Sequence, residues 1–167
     1  MNTPMSLDPE TYAYLRSLAA RVLGPGQHTL QPTGLLHEAW ARLAGRERAY
    51  ADQQHFLRTA AKAMRHILVD RARARNAEKR GGGAVPTTLS GIGDDPRERL
   101  DVVELDRALT ALEEVNESAA QIVLMRTFGG LTIEETADAL GLSTGTVKRH
   151  WRFARAWLLQ RMGEDAD

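Results

Sequence analysis

The sequence of 167 residues contains no cysteine and few aromatic residues. Without cysteine the chain has no disulfide framework and no thiolate ligands for a metal ion. Aromatic residues make up 5% of the chain, which leaves few side chains on which RNA bases could stack and disfavours an RNA-binding adaptor. No apolar run approaches the roughly 20 residues that cross a bilayer, and the N-terminal segment does not resemble a signal peptide. We therefore expect a cytoplasmic protein without membrane contact.

The chain also lacks net charge, since 22 basic residues are balanced by 22 acidic ones. The charges are nevertheless segregated along the sequence. Positions 58–80 hold eight basic residues against two acids, and positions 144–161 hold five basic residues and no acid. Between them, positions 94–117 carry nine acids and three arginines. Two basic segments that flank an acidic one indicate local cationic surfaces that the total charge conceals.

Helical periodicity dominates the rest of the sequence. Apolar residues recur at spacings of three and four before position 76 and again after position 101, and no stretch alternates with the period of two typical of strands. Glycine, proline, serine and threonine are concentrated in 81–96, which indicates a flexible linker. We predict an all-α protein of two small helical domains, 1–78 and 101–163, joined by a flexible linker at 79–100.

The most specific local pattern lies in the second domain. Thr132 followed three residues later by Glu135 predicts a capping box at the start of a helix over 133–140. Gly141 is suited to the left-handed turn that ends this helix, and Ser143 is suited to cap a second one. An apolar stripe of Val147, Trp151, Ala154 and Leu158 predicts the buried side of that second helix. This spacing is typical of a DNA-binding helix-turn-helix.

The outward side of the second helix would meet the major groove. Its side chains are suited to phosphates and to guanine edges. The predicted contacts are Thr144, Thr146, Lys148, Arg149 and Arg152. A plain helical hairpin with a solvated cationic face is the alternative interpretation.

The chain resembles the extracytoplasmic-function (ECF) group of the sigma-70 family, and the resemblance covers nearly its whole length. The segment LTIEETADALGLSTGTVKRHWRFARAWLL is similar to region 4 of that family. The segments GLLHEAWARL and HFLRTAAKAMRHILVDRARAR are similar to region 2, and the glycine-rich stretch takes the place of the inter-domain linker. At Phe153, where many relatives have arginine, the sequence departs from the family pattern, and phenylalanine cannot make the contacts of a guanidinium there.

The resemblance implies a transcription initiation factor whose partners are promoter DNA and core RNA polymerase, through the clamp helices of the largest subunit and the flap of the second-largest. Region 2 would open the −10 element and capture a flipped base, and region 4 would read the −35 element. The residues implied at the −10 element are Arg65, His66, Arg71, Arg73 and Arg75. Those implied at the polymerase are Leu35, Leu36, Glu38, Trp40 and Arg42, of which Leu36 and Trp40 equally fit a core position. A linker of about 20 residues reaches at most roughly 65 Å, close to two turns of duplex.

One departure from the family lies just before the polymerase-facing helix. Relatives carry an acidic cluster there, whereas this chain has Gln31-Pro32-Thr33-Gly34. Thr33 is predicted to be the N-cap of a helix that begins at Gly34. The further hypothesis is that a Ser/Thr protein kinase restores the missing charge by phosphorylating Thr33 or Thr29. Constitutive docking through other contacts, or control by an anti-sigma factor, are the alternatives.

An enzyme is the obvious rival class, but the sequence disfavours it. The run Gly81-Gly82-Gly83 lacks the Gly-Lys-Ser/Thr that completes a phosphate-binding loop. The five histidines are scattered, and no acid, base and nucleophile stand at catalytic spacing, so we expect neither a metal nor a cofactor. The remaining alternative is a helix-turn-helix regulator that binds palindromic DNA as a dimer and is not a polymerase subunit.

Overall fold

A computed structural model describes residues 9–24, 30–43, 53–78 and 100–164 of the chain. Seven α-helices account for nearly all of this part, and it contains no β-strand, so the predicted all-α class is confirmed. One π-helical turn, Leu124–Phe128, continues directly from the fifth helix. The helices are α1 (Pro9–Leu23), α2 (Pro32–Leu43), α3 (Gln53–Glu78), α4 (Val102–Val115), α5 (Glu117–Val123), α6 (Ile133–Leu140) and α7 (Thr144–Glu164).

The first three helices pack around one apolar core. The apolar side of α1 is buried, with Leu18 at 2% and Ala19 at 0% exposure. Met64 and Ile67 of α3 are equally buried, as the period of three and four predicts. Gly24, with a φ of 68°, follows the last residue of α1, a conformation that glycine adopts without steric cost.

Helix α2 begins earlier than predicted. Its first residue is Pro32, whose ring presets the helical φ, and the Leu35 amide donates to the Gln31 carbonyl at 3.0 Å. Thr33 therefore lies within the first turn, and the prediction that it is the N-cap was wrong. No acidic residue stands in this first turn, so the positive end of the helix dipole has no side-chain counter-charge there.

The C-terminal helices have well-defined N-caps. Asp101 accepts hydrogen bonds from the Val103 and Glu104 amides at 2.8 and 3.2 Å, which caps α4. Asn116 caps α5 in the same way through the Ala119 amide at 3.0 Å. These short-range bonds satisfy helix donors that would otherwise lack a partner.

The two helical halves also pack against each other. A Cβ placed on Gly130 would lie 2.4 Å from the Leu18 carbonyl oxygen, so the backbones approach as closely as glycine permits. Arg21 donates to the Gly130 carbonyl at 3.1 Å, and the Gln54 amide donates to the Asp138 carbonyl at 2.7 Å. The predicted linker falls outside the described residues except for Leu100, and the domain boundaries stay predictions.

Candidate nucleic-acid interface

The helix-turn-helix begins with the predicted capping box, which is confirmed. The Thr132 hydroxyl accepts from the Glu135 amide at 3.1 Å, and the Glu135 carboxylate accepts from the Thr132 amide at 2.8 Å. Arg21 adds an ion pair to the same carboxylate at 2.9 Å. Burial by itself raises the pKa of Glu135, but the hydrogen bonds from Thr132 and Arg21 outweigh it, so the pKa of Glu135 is lowered. The carboxylate is thus ionised and in place at neutral pH.

The turn between α6 and α7 has the geometry that its residues predict. Gly141 adopts a φ of 65°, and the Leu142 amide donates back to the Ala137 carbonyl at 2.9 Å. Ser143 then caps α7, because its hydroxyl accepts from the Thr146 amide at 3.2 Å. Local hydrogen bonds therefore set where α7 begins.

Replacing Gly141 with alanine is expected to destabilise the protein by about 1 kcal/mol, because an L-residue is strained in the left-handed region. A Cβ at this position would meet no atom within 4 Å, so the cost is conformational and not steric. Gly145→Ala is the matched control, since Gly145 lies inside α7 and its added Cβ would meet only the Ser143 hydroxyl at 3.9 Å. That change is expected to stabilise the protein by about 0.5–1 kcal/mol. Urea unfolding followed by circular dichroism measures both, and shifts of the same sign would contradict the turn geometry.

Helix α7 presents a cationic face to solvent. Its predicted stripe is buried, with Val147, Ala154 and Leu158 each at 0% exposure. Lys148 and Arg149 are exposed, and no carboxylate in the described part of the chain forms an ion pair with either of them. Of the other predicted contacts, Thr144 and Arg152 are exposed and Thr146 is half-buried. Unpaired cations on the outward side of the second helix are suited to a DNA backbone and base edges.

Arg126, in the π turn, is a candidate DNA-contacting residue that the sequence did not reveal. Its guanidinium lies 4.2 Å from the centroid of the Trp151 ring, a cation–π geometry. Its buried Nε has no hydrogen-bond partner among the described residues. Burial and the nearby Arg155 guanidinium lower the pKa of Arg126. Helical periodicity does not predict this contact, because the contact depends on how the π turn packs beside α7.

The basic residues of α3 are not equivalent. Arg65 is buried at 8% exposure and faces α4, whereas His66 on the next position is exposed. Arg73 is exposed and approaches Asp106 at 3.5 Å. Arg71 forms an ion pair with Glu38 of α2, and Arg75 is half-buried. In this conformation the residues implied at the −10 element therefore form no single open surface.

The residues implied at the polymerase divide between the core and the surface. Leu35 and Leu36 are buried at 0% and 1% exposure, so in this structure they pack α2 against its neighbours and cannot reach a partner. Trp40 is half-buried. Glu38 pairs with Arg71, and Arg42 pairs with Asp70 of α3 at 3.3 Å. Because α2 is amphipathic, the period that predicts the helix also assigns these leucines to its inner side.

Neither a metal centre nor a membrane segment is found in the described part of the chain. No cluster of histidine, aspartate and glutamate side chains there could hold a metal ion. None of the described helices combines the length and the apolar character that crossing a membrane requires.

Comparison with known protein families gives a match over most of the chain. The model of a family described as ECF sigma factor matches residues 5–164, which is almost the entire chain. No curated protein and no solved structure matches it.

Proposed function

The chain belongs to the ECF sigma factor family, and from that premise we propose which of its surfaces bind promoter DNA and which bind core RNA polymerase. Members of this family are alternative sigma factors, which act in transcription initiation with core RNA polymerase and promoter DNA and are not catalysts. The observation that carries the proposal is the exposed basic face of α7, which has no acid from position 144 to 161, in a capped helix-turn-helix. The chain acts in the cytoplasm, where its polymerase is, and uses no cofactor.

At the −35 element, α7 enters the major groove. Lys148, Arg149 and Arg152 supply donors for guanine edges and phosphates, while Thr144 and Thr146 lie at the helix N-terminus. Arg126 brings a further positive charge close to Arg155 beside this helix. Two neighbouring guanidinium groups favour a phosphate between them.

At the −10 element, basic side chains of α3 bind the DNA, namely Arg65, His66, Arg71, Arg73 and Arg75. Such cations bind the phosphate backbone of a single strand. On α2, Glu38, Trp40 and Arg42 face the clamp helices of polymerase, and the C-terminal half contacts the flap. The proposed units are 1–78 for polymerase and the −10 element, 79–100 for the linker and 101–163 for the −35 element and the flap.

Run-off transcription tests the function directly. Purified core polymerase is supplied with genomic promoter fragments, with and without this chain, and we expect new transcripts only in its presence. The chain alone is expected to bind the same fragments weakly. Dimeric binding to symmetric sites, with no association with polymerase, would instead identify a simple helix-turn-helix regulator.

The position of Thr33 supports control by phosphorylation. Thr33 is half-buried in the first turn of α2, where no acidic residue stands, and its hydroxyl is not the helix N-cap. A phosphate there adds about −1.5 to −2 charges at the positive end of the helix. Arg16 lines a cavity of about 280 Å³ with Pro32, so a cation stands close to this turn. The other candidate, Thr29, lies outside the described residues.

Thr33→Glu is expected to bind core polymerase about three- to tenfold more tightly than Thr33→Ala, because its carboxylate supplies part of the missing charge. Ser118→Glu is the matched control, since Ser118 is exposed in the first turn of α5 and the change adds the same charge elsewhere. Equal affinities for the two Thr33 variants, measured by fluorescence anisotropy with labelled chain, would exclude phosphate control at Thr33. Docking would then be constitutive or controlled by an anti-sigma factor.

A further inference from the structure

Phe153 is a large apolar side chain that helix packing leaves outside the core. It lies in the third turn of α7 and keeps 43% of its surface exposed. Trp157 and Met162, further along the same helix, pack against the core, whereas Phe153 does not. Among the described residues no aromatic ring and no cation lies against the Phe153 ring. Core packing therefore does not explain why an aromatic residue stands at this position.

The periodicity of the helix places Phe153 on the outward side of α7. At about 100° per residue, Phe153 points about 40° away from Arg149, which lies four residues earlier. It points about 100° or more away from every residue of the buried stripe of α7. Side chains four residues apart are neighbours on a helix surface, with Cβ atoms about 5–6 Å apart. The ring thus lies beside Arg149, within the cationic face that is proposed to enter the major groove.

The surroundings of Phe153 are suited to DNA. Positions 144–161 hold five basic residues and no acid, so a partner of this face is anionic. A single aromatic ring among these cations requires a small apolar group on that anionic partner. In the major groove the C5-methyl of thymine is the apolar group that a base edge presents, and phenylalanine is one of the side chains that contact it. Charge and apolar surface together therefore point to a thymine.

We propose that Phe153 is a specificity-determining residue at the −35 element, with its ring against the C5-methyl of a thymine while Arg149 binds a neighbouring guanine. The proposal rests on the proposed function, because that function places α7 in the major groove. Four residues advance a helix by about 6 Å, close to two base steps of about 3.4 Å each. The thymine therefore lies within about two base pairs of the guanine.

The same ring disfavours the other bases at that position. Phenylalanine offers neither a donor nor an acceptor, so a guanine or cytosine edge beneath Phe153 would lose water without gaining a hydrogen bond. The ring therefore selects thymine in two ways, by contact with its methyl group and by leaving polar base edges without a partner.

Deoxyuridine isolates the proposed contact, because it lacks the methyl group of thymine and forms the same base pair. The chain in complex with core polymerase is bound to a promoter fragment from the run-off assay, in which each thymine of the −35 element is replaced singly by deoxyuridine. At one position we expect about three- to fivefold weaker binding, the value for burying one methyl group. Phe153→Ala is expected to bind the thymine and deoxyuridine fragments equally at that position. Fluorescence anisotropy with labelled DNA measures both proteins.

Leu159→Ala is the matched control, since Leu159 is 37% exposed and lies more than one turn further along the same helix. It is expected to keep the full preference for thymine over deoxyuridine. Phe153→Arg tests the position from the other side, because a guanidinium donates to the O6 and N7 atoms of guanine. That variant is expected to prefer guanine where the wild type prefers thymine.

Two results with DNA would overturn the proposal, namely equal affinity of the wild type for thymine and deoxyuridine at every position, or a methyl preference that persists in Phe153→Ala. A Phe153→Ala variant that loses affinity for core polymerase in the absence of DNA would place the ring on the polymerase and overturn it as well. If the run-off assay yields no promoter, the same comparison uses a duplex that the free chain selects from a random pool. A methyl preference that depends on Phe153 there would refute only the sigma function and leave the thymine contact standing.

Discussion

Replacing both Lys148 and Arg149 with alanine is expected to reduce the affinity of the polymerase complex for −35 DNA by about 100-fold or more. Both side chains are exposed on the outward side of α7, and no described carboxylate pairs with them. A well-placed basic side chain on a base edge contributes about 1–3 kcal/mol, and this variant lacks two of them. The fold should be retained, because neither side chain belongs to the buried stripe of Val147, Ala154 and Leu158.

The measurement is binding of reconstituted polymerase to a promoter fragment that the run-off assay has identified, at several salt concentrations. Affinity falls as salt rises, and each lost phosphate contact makes the plot of log affinity against log salt less steep by about one. Arg161→Ala is the matched control, since Arg161 is an exposed arginine near the other end of the same helix. A comparable loss in that control would mean that α7 acts only through its overall charge and does not read the groove with its N-terminal turns.

Truncating Phe128 to alanine is expected to destabilise the protein by about 3–5 kcal/mol, enough to unfold a large fraction of a marginally stable domain. Phe128 is 0% exposed and ends the π turn, which packs against α3 and α5. Loss of the ring leaves a cavity where the helix-turn-helix half meets the first three helices. The effect should therefore spread to both halves of the chain.

Phe153→Ala controls for the removal of a phenylalanine as such. Phe153 is 43% exposed on α7, so its truncation should change the free energy of unfolding by no more than about 0.5 kcal/mol. Urea unfolding followed by circular dichroism measures both variants. If the urea midpoints of the two variants shifted equally from that of the wild type, Phe128 would not be the core residue that its burial indicates.

Features that depend on near neighbours in the chain were predictable. The capping box of Thr132 and Glu135, the left-handed Gly141 and the cap at Ser143 all involve residues within three or four positions of their partners. Such contacts form whenever the helix forms, so residue type and spacing suffice to infer them. The buried stripes of α3 and α7 follow from helical periodicity in the same way.

The start of α2 was predicted less well for a related reason. Threonine is a good N-cap, which favoured Thr33, but Pro32 is better suited to the first helical position and extends the helix towards Gln31. Two local preferences compete within three residues, and periodicity does not decide between them. Thr33 therefore lies in the first turn of α2 and is not its N-cap.

The sequence by itself determined that this chain is an all-α member of the ECF sigma factor family with a helix-turn-helix near its C-terminus, because caps, turns and periodicity are local properties and the family match spans residues 5–164. Only the tertiary structure decided which basic residues are accessible. Arg65 meets Asp106 and Glu113 at sequence separations of 41 and 48 residues, and Arg126 of the π turn meets Trp151 of α7. Charge segregation along the chain shows that opposite charges exist, but their pairing depends on which helix faces pack together, and that is a property of the whole core.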